Sequence, residues 1–328
     1  MNQTAKIIGK LIIHITQKII PFSTAKFLQN KFIYKPLIKH FEIDEHNIKL
    51  FSAVLFEVRT RCNGNCSFCP ASRHHDKRKD ISMPMDLYKK VINELKALKY
   101  SGKIAYHVNS DPLIFPRLPE FVDYASQSLP SAYIQILTNG IALTLKKAEI
   151  LLIKGINELT INYYNDDFSA ELPEGIRNIR DDLLPKFYKS EQIKAGFGTD
   201  GGSHIFRFNI RRRKVNATLS NRAGSAPNKQ EKSKMPRGFC IQPFTRFSIT
   251  ADGRVSKCCN DFYFSDVMGN VSDQNVMEIW KGEKFNNVRR HLLQNDREAI
   301  ETCKKCDYYG IGDYHERNVS KLLYFLTT

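Results

Sequence analysis

Cys62, Cys66 and Cys69 stand in the run 61–70, directly after an apolar stretch over residues 53–58. Three thiols packed this closely, on a loop leaving a predicted strand, make a socket for a metal cluster. A four-iron cube is usually held by four thiolates, so three local ligands leave one iron open. An open position is what separates a catalytic metal site from a closed structural one. Gly64 lets the loop bend between the ligands. The same trio also suits a zinc site or a redox-sensing set, and spacing alone does not choose.

A chain of 328 residues with 42% hydrophobic content can bury a large core, and two domains are expected. Its long apolar stretches are broken by Lys or His, so no membrane span of about 20 residues is expected. Eight cysteines without a secretory signal point to a reducing, cytoplasmic location.

The net charge of +16 suggests an anionic partner: nucleic acid, acidic lipid or a phosphorylated substrate. The charge is spread along the chain and no aromatic RNP run occurs, so nucleic acid is not expected. At the amino end, Lys6, Lys10, His14 and Lys18 recur every four residues, opposite Ile7, Ile8, Leu11, Ile12, Ile15 and Ile19. This is a basic amphipathic helix over about 4–20, suited to peripheral contact with an anionic membrane or to docking on the protein body.

From residue 53 onward β-type runs alternate with helical ones, which favours a parallel sheet with crossover helices. Strands are read over 53–58, 103–109, 133–139 and 158–163, with later ones near 193–197, 204–210 and 215–219. Helices are read over 84–98, on the stripe Leu87, Val91, Leu95 and Leu98, over 118–129, and from the Thr144 cap to Gly155. In α/β folds chemistry sits at the carboxyl ends of the strands. There the chain places the cysteine loop, Asn109-Ser110-Asp111-Pro112, Thr138-Asn139-Gly140 and the run that starts at Asn162.

A second thiol set follows a polar stretch over 225–238: Cys240, then the adjacent Cys258 and Cys259, then Cys303 and Cys306. An Asp252-Gly253 turn folds Cys258 back toward Cys240 as a hairpin. Four thiolates saturate a metal, which makes this second centre structural or electron-transferring. Taken alone, the four thiols suit zinc about as well as iron–sulfur.

The Cys-x3-Cys-x2-Cys spacing, with Phe68 just before the third Cys, resembles the signature of the radical S-adenosylmethionine (radical SAM) enzymes. The resemblance covers residues 53–310 or so. It implies a partial (β/α)6 barrel with a 4Fe-4S cluster on Cys62, Cys66 and Cys69, whose open iron binds S-adenosylmethionine (SAM). Residues 109–112 resemble a divergent Gly-Gly-Glu-Pro motif, with Asp111 in the acidic position. By the same resemblance Phe68, Asn109, Ser110, Asp111, Thr138, Asn139 and Asn162 bind the cofactor. Asn221-Arg222-Ala223-Gly224 resembles a run found after the last barrel strand, which makes Arg222 the candidate catalytic residue. Residues 240–306 resemble a SPASM or shorter twitch extension, implying one auxiliary 4Fe-4S cluster on Cys240, Cys258, Cys303 and Cys306, with Cys258 preferred to Cys259.

The implied organisation is an amino-terminal extension (1–50), a core barrel (51–224), a linker (225–238), an auxiliary-cluster domain (239–316) and a tail (317–328). The implied reaction is reductive cleavage of SAM to a 5'-deoxyadenosyl radical that abstracts hydrogen from a hydroxyl-bearing small molecule of sugar or aminocyclitol type. The auxiliary cluster takes up the electron, and a flavodoxin or ferredoxin supplies reducing power. The basic residues 211–214 would suit a phosphorylated or nucleotide-linked substrate. Two other functions compete: a radical SAM peptide maturase, and a noncatalytic zinc- and membrane-binding protein.

Overall fold

The computed structural model describes residues 48–196, 205–229 and 239–308, with Thr24 and a short helix, Lys35–His40. The basic segment 4–20, residues 230–238 of the polar stretch and the tail 317–328 lie outside the described residues.

Among the described residues nine strands form one sheet, in the order β5-β6-β4-β3-β2-β1-β7-β8-β9. They are β1 (Ala53–Phe56), β2 (Lys103–Ala105), β3 (Tyr133–Thr138), β4 (Glu158–Tyr164), β5 (Ile193–Lys194), β6 (Phe206–Arg213), β7 (Arg246–Ile249), β8 (Arg254–Ser256) and β9 (Val267–Asn270). Every pairing from β5 to β7 is parallel, and the last two are antiparallel. This is an α/β architecture with six parallel strands before the second thiol set, and the two-residue β5 sits outside β6 rather than between β4 and β6.

Parallel neighbours need crossovers, and three helices supply the first of them: α1 (Met85–Ala97), α2 (Leu118–Ser128) and α3 (Leu145–Ile153). The buried face of α1 is Tyr88, Val91, Ile92 and Leu95, so the stripe is rotated from the expected one and Leu98 is an exposed cap. Tyr88 explains the rotation, because its hydroxyl sits 2.6 Å from the Tyr106 hydroxyl and donates to the Phe121 carbonyl at 2.9 Å. Thr144 caps α3 by accepting from the Lys147 amide, and Gly155 ends it at φ +93°.

The strand expected at 215–219 does not form. Val215 donates its amide to the Asp166 carboxylate and Ala217 turns back on Lys214, so β6 has no continuation to pair with.

β7 pairs in parallel with β1 over four residues, which joins the second thiol region to the first by backbone hydrogen bonds. Phe51 stacks on Phe247 at 4.9 Å and meets Trp280 edge-on at 5.2 Å, while Trp280 donates to the Lys49 carbonyl. Burying rings of this size contributes roughly 2 kcal/mol each, so the junction is firmly held.

Candidate active site and second thiol centre

The first thiol loop leaves β1 and is pinned at its base. Thr60 donates its hydroxyl to the Lys79 carbonyl and accepts from the Ile81 amide. Within the loop, the Gly64 amide and the Asn139 side-chain amide both point at Cys62 Sγ, at 3.4 and 3.9 Å. A Cβ on Gly64 would press on Asn139 Nδ2 at 3.2 Å while meeting the sulfurs of Cys62 and Cys66 at ordinary contact distance, so glycine lets Asn139 approach the loop. Tyr164, at the end of β4, hydrogen bonds to Cys66 and packs against Phe68 at 5.8 Å.

The strand ends named from sequence converge here, held together by Asp111. One carboxylate oxygen caps a short turn by accepting from the Leu113 amide at 2.9 Å. The other accepts from Thr138 Oγ1 at 2.8 Å and the Asn139 amide at 2.7 Å. Asn139 in turn donates to Asn63 at 2.8 Å and so reaches the cysteine loop. Asp111 is thus committed to joining β2's end to β3's end. Ser110 Oγ and Asn162 Oδ1 are buried without a hydrogen-bond partner, as is Asn109 Nδ2.

Arg222 lies across from them, in a turn where Arg222 and Ala223 adopt φ +46° and +55°. Its Nη2 donates to Asn109 Oδ1 and to the Cys259 carbonyl, and its Nε has no partner. The turn is locked by Asn221, whose amide donates to Asp307 and whose side chain accepts from the Asp307 amide. Asp307 follows Cys306 directly, so the turn is tied to the second thiol set.

That set lines one cavity. Cys240, Cys258, Cys303 and Cys306 form its wall with Ala223, Lys257 and Arg297. Cys258 is brought in by the hairpin β7–β8, whose Gly253 turns at φ +86°, a conformation that favours glycine, with the Asn270 side chain close beside it. The neighbouring Cys259 contributes its carbonyl to Arg222.

Burial pushes the Cys62 thiol up to about 12, Cys66 to about 11 and Cys303 to about 12, and raises Cys240, Cys258 and Cys306 as well. Thiols this reluctant to ionise in a protein interior lose their protons to solvent when a metal binds, because its charge replaces the lost solvation of the thiolate. Among the described residues no three Cys, His, Asp or Glu side chains converge on a single point, as one metal ion requires. A four-iron cube takes one thiolate per iron, so three thiols in one loop and four around one cavity are donor sets that it can use. The donor sets therefore fit one cube with three thiol ligands and one with four.

Sequence reasoning did not single out Glu57, Arg78 and Phe262. Glu57 is fully buried at the end of β1 and accepts from Arg78 at 2.9 Å. Arg78 also grips Asp76 and lies 4.3 Å over the Phe262 ring, which Arg222 approaches from 6.0 Å. Phe262, from the loop after Cys259, is thus approached by two guanidiniums of the first region, Arg78 and Arg222. No local pattern marks such a contact; only the short distance in sequence from a cysteine motif hints at it.

Residues 56–168 match the family model of the radical SAM superfamily, and residues 240–307 match that of SPASM, an iron-sulfur cluster-binding domain. The S-adenosyl-L-methionine-dependent 2-deoxy-scyllo-inosamine dehydrogenase of Niallia circulans is 30% identical over 264 residues, covering 80% of this chain and 95% of that one. A PqqA peptide cyclase of Streptomyces rochei is 23% identical over 120 residues, covering 36% of this chain and 31% of that one. The crystal structure of BtrN in complex with AdoMet and 2-DOIA superposes with a TM-score of 0.62 at 27% identity, covering 82% of this chain and 99% of that one. With two family models matched and a relative 30% identical over nearly its whole length, this chain belongs to the radical SAM superfamily, in the branch that carries a SPASM iron-sulfur domain.

Proposed function

We propose that this protein is a radical SAM dehydrogenase that oxidises a secondary alcohol of an aminocyclitol or sugar-like small molecule to a ketone. The observation that carries the reading is the four-thiol cavity whose wall includes Ala223, next to Arg222, which also reaches Asn109 beyond the second strand. An electron outlet beside the reaction site is what an oxidation needs. The dehydrogenase relative, which matches across nearly its full length, supports the same class of substrate.

When bound, the cluster on Cys62, Cys66 and Cys69 supplies the electron that splits SAM to a 5'-deoxyadenosyl radical, the hydrogen acceptor, and the cluster on Cys240, Cys258, Cys303 and Cys306 takes the electron left on the substrate. Phe68, Asn109, Ser110, Asp111, Thr138, Asn139 and Asn162 line the cofactor side, Asp111 acting through the Thr138 and Asn139 it holds. Arg222 aims its unpartnered Nε at the substrate hydroxyl and orients the carbon that loses hydrogen. Asn109 and the Cys259 carbonyl fix the guanidinium's direction.

A flavodoxin or ferredoxin is the proposed reductant. Residues 211–214, at the end of β6, suit a substrate bearing phosphate or a nucleotide. All eight cysteines are free, as a reducing cytoplasm keeps them. Peripheral membrane contact through residues 4–20 remains part of the proposal; among the described residues no helix is long and apolar enough to cross a membrane.

The test is anaerobic turnover with SAM, a reductant and 2-deoxy-scyllo-inosamine deuterated at the carbinol carbons. The expected result is a product that has lost one deuterium from carbon and one proton from oxygen, with that deuterium in 5'-deoxyadenosine. SAM cleavage that leaves a panel of aminocyclitols and sugars intact and unlabelled would reject the assignment.

A further inference from the structure

The cavity of the second thiol set has two cationic side chains in its wall, Lys257 and Arg297. Both are buried, at 0% and 2% exposure. Burying a cation is costly unless acceptors or negative charge face it. Arg297 donates to the Tyr308 carbonyl at 2.7 Å and to the Phe239 carbonyl at 3.0 Å. Those carbonyls flank the ligand run, one just before Cys240 and one just after Cys306. Lys257 adjoins Cys258 and pairs with Asp261 at 3.3 Å and with Asp266. Asp266 also accepts from Thr302, the neighbour of Cys303, at 2.9 Å. Every segment that brings a thiol to the cavity therefore also fixes one of its two positive charges.

We propose that Arg297 sets the electron affinity of the second centre, its fixed charge favouring the reduced form, while Asp261 and Asp266 offset the charge of Lys257. The inference rests on the iron–sulfur reading above. A substrate radical closing to a carbonyl would release one electron, which a cluster on these thiols would accept, and its hydroxyl proton, which would pass to solvent. A one-electron carrier protein later removes that electron. Uptake adds one negative charge inside a cavity of low dielectric, where a nearby cation stabilises it far more than in water. The charge and hydrogen bonding around a cluster are recognised determinants of its potential.

The test uses the full chain with Cys62, Cys66 and Cys69 changed to Ala, so that only the second centre loads, and follows its midpoint by a redox titration monitored by electron paramagnetic resonance. Arg297→Gln should lower the midpoint by a roughly tenfold change in the reduction equilibrium, about 59 mV for one electron. Arg297→Lys, which keeps the charge, should restore most of it. Asp266→Asn removes a negative charge and should move the midpoint the other way. Midpoints that stay put in Arg297→Gln and Asp266→Asn, or that move in the same direction, overturn the proposal. Should Arg297→Gln bind no iron, Asp266→Asn decides alone: a rise supports the assignment and an unchanged midpoint refutes it. A parent chain that loads no second cluster overturns both this inference and the functional reading. Midpoints that shift as expected in a protein that oxidises no alcohol remove only the substrate assignment.

Discussion

Arg222 Nη2 donates to Asn109 Oδ1 at 2.5 Å across 113 positions of sequence, and the same nitrogen donates to the Cys259 carbonyl at 2.7 Å. One guanidinium therefore ties the end of the second strand to the loop that follows Cys258. Arg222→Lys keeps the charge but has no second nitrogen to offer the substrate once its ammonium takes the place of Nη2 on Asn109 and the Cys259 carbonyl. Charge-assisted hydrogen bonds are worth about 1.5–3 kcal/mol, so kcat/KM for alcohol oxidation should fall roughly 10- to 100-fold. The diagnostic measurement is the ratio of 5'-deoxyadenosine to ketone, which should rise as SAM cleavage uncouples from oxidation. An unchanged ratio would remove Arg222 from the substrate site.

Cys258 lines the four-thiol cavity and Cys259 turns its carbonyl to Arg222. Iron analysis after anaerobic reconstitution should give about eight irons in the parent and in Cys259→Ser, and about four in Cys258→Ser. The reverse pattern would exchange the two roles.

Asp111 accepts three hydrogen bonds, and Asn in its place offers a single acceptor oxygen. Losing a buried acceptor costs about 1–3 kcal/mol. Asp111→Asn should lower the melting temperature by several degrees and weaken SAM binding, as measured by calorimetry on the reconstituted protein. Full stability with intact binding would show that the Asp111 bridge is dispensable.

Burial pushes the Glu57 carboxyl up to about 7 from 4.5, against the opposing pull of Arg78. The folded protein then holds a proton that the unfolded chain has released above pH 4.5. Stability from this group is full below that value, declines as pH rises toward 7 and is flat beyond. Glu57→Gln should remove this decline, by at most about 1.4 kcal/mol per pH unit. Denaturation at pH 5, 6, 7 and 8 measures it; parallel curves for the two proteins would contradict the assignment.

Much of the architecture could be read from one dimension of the chain. Thr144 and Gly155 bracket a helix because capping chemistry is local, and the apolar run before Cys62 forms a strand for the same reason. Local pattern misled at residues 215–219, where a β-like alternation has no partner strand once Asp166 takes the Val215 amide. It also misjudged α1, since the side that Tyr88 faces is fixed by Tyr106 and Phe121 from later strands and helices. Within the site, motif spacing gathers the thiols, yet the Glu57–Arg78–Phe262–Arg222 contacts join four distant segments and carry no periodicity. Asp111 was legible as an acidic residue at a strand end, but its three donors come from folding and not from spacing.

The parallel pairing of β1 with β7 has one more consequence. The strand that leads to the first thiol loop and the strand that leads to the second thiol hairpin are adjacent rungs of a single hydrogen-bonded ladder. Sliding one thiol region past the other would break those rungs, so the roots of the first loop and of the second hairpin are kept neighbours by the backbone itself, whatever their side chains hold.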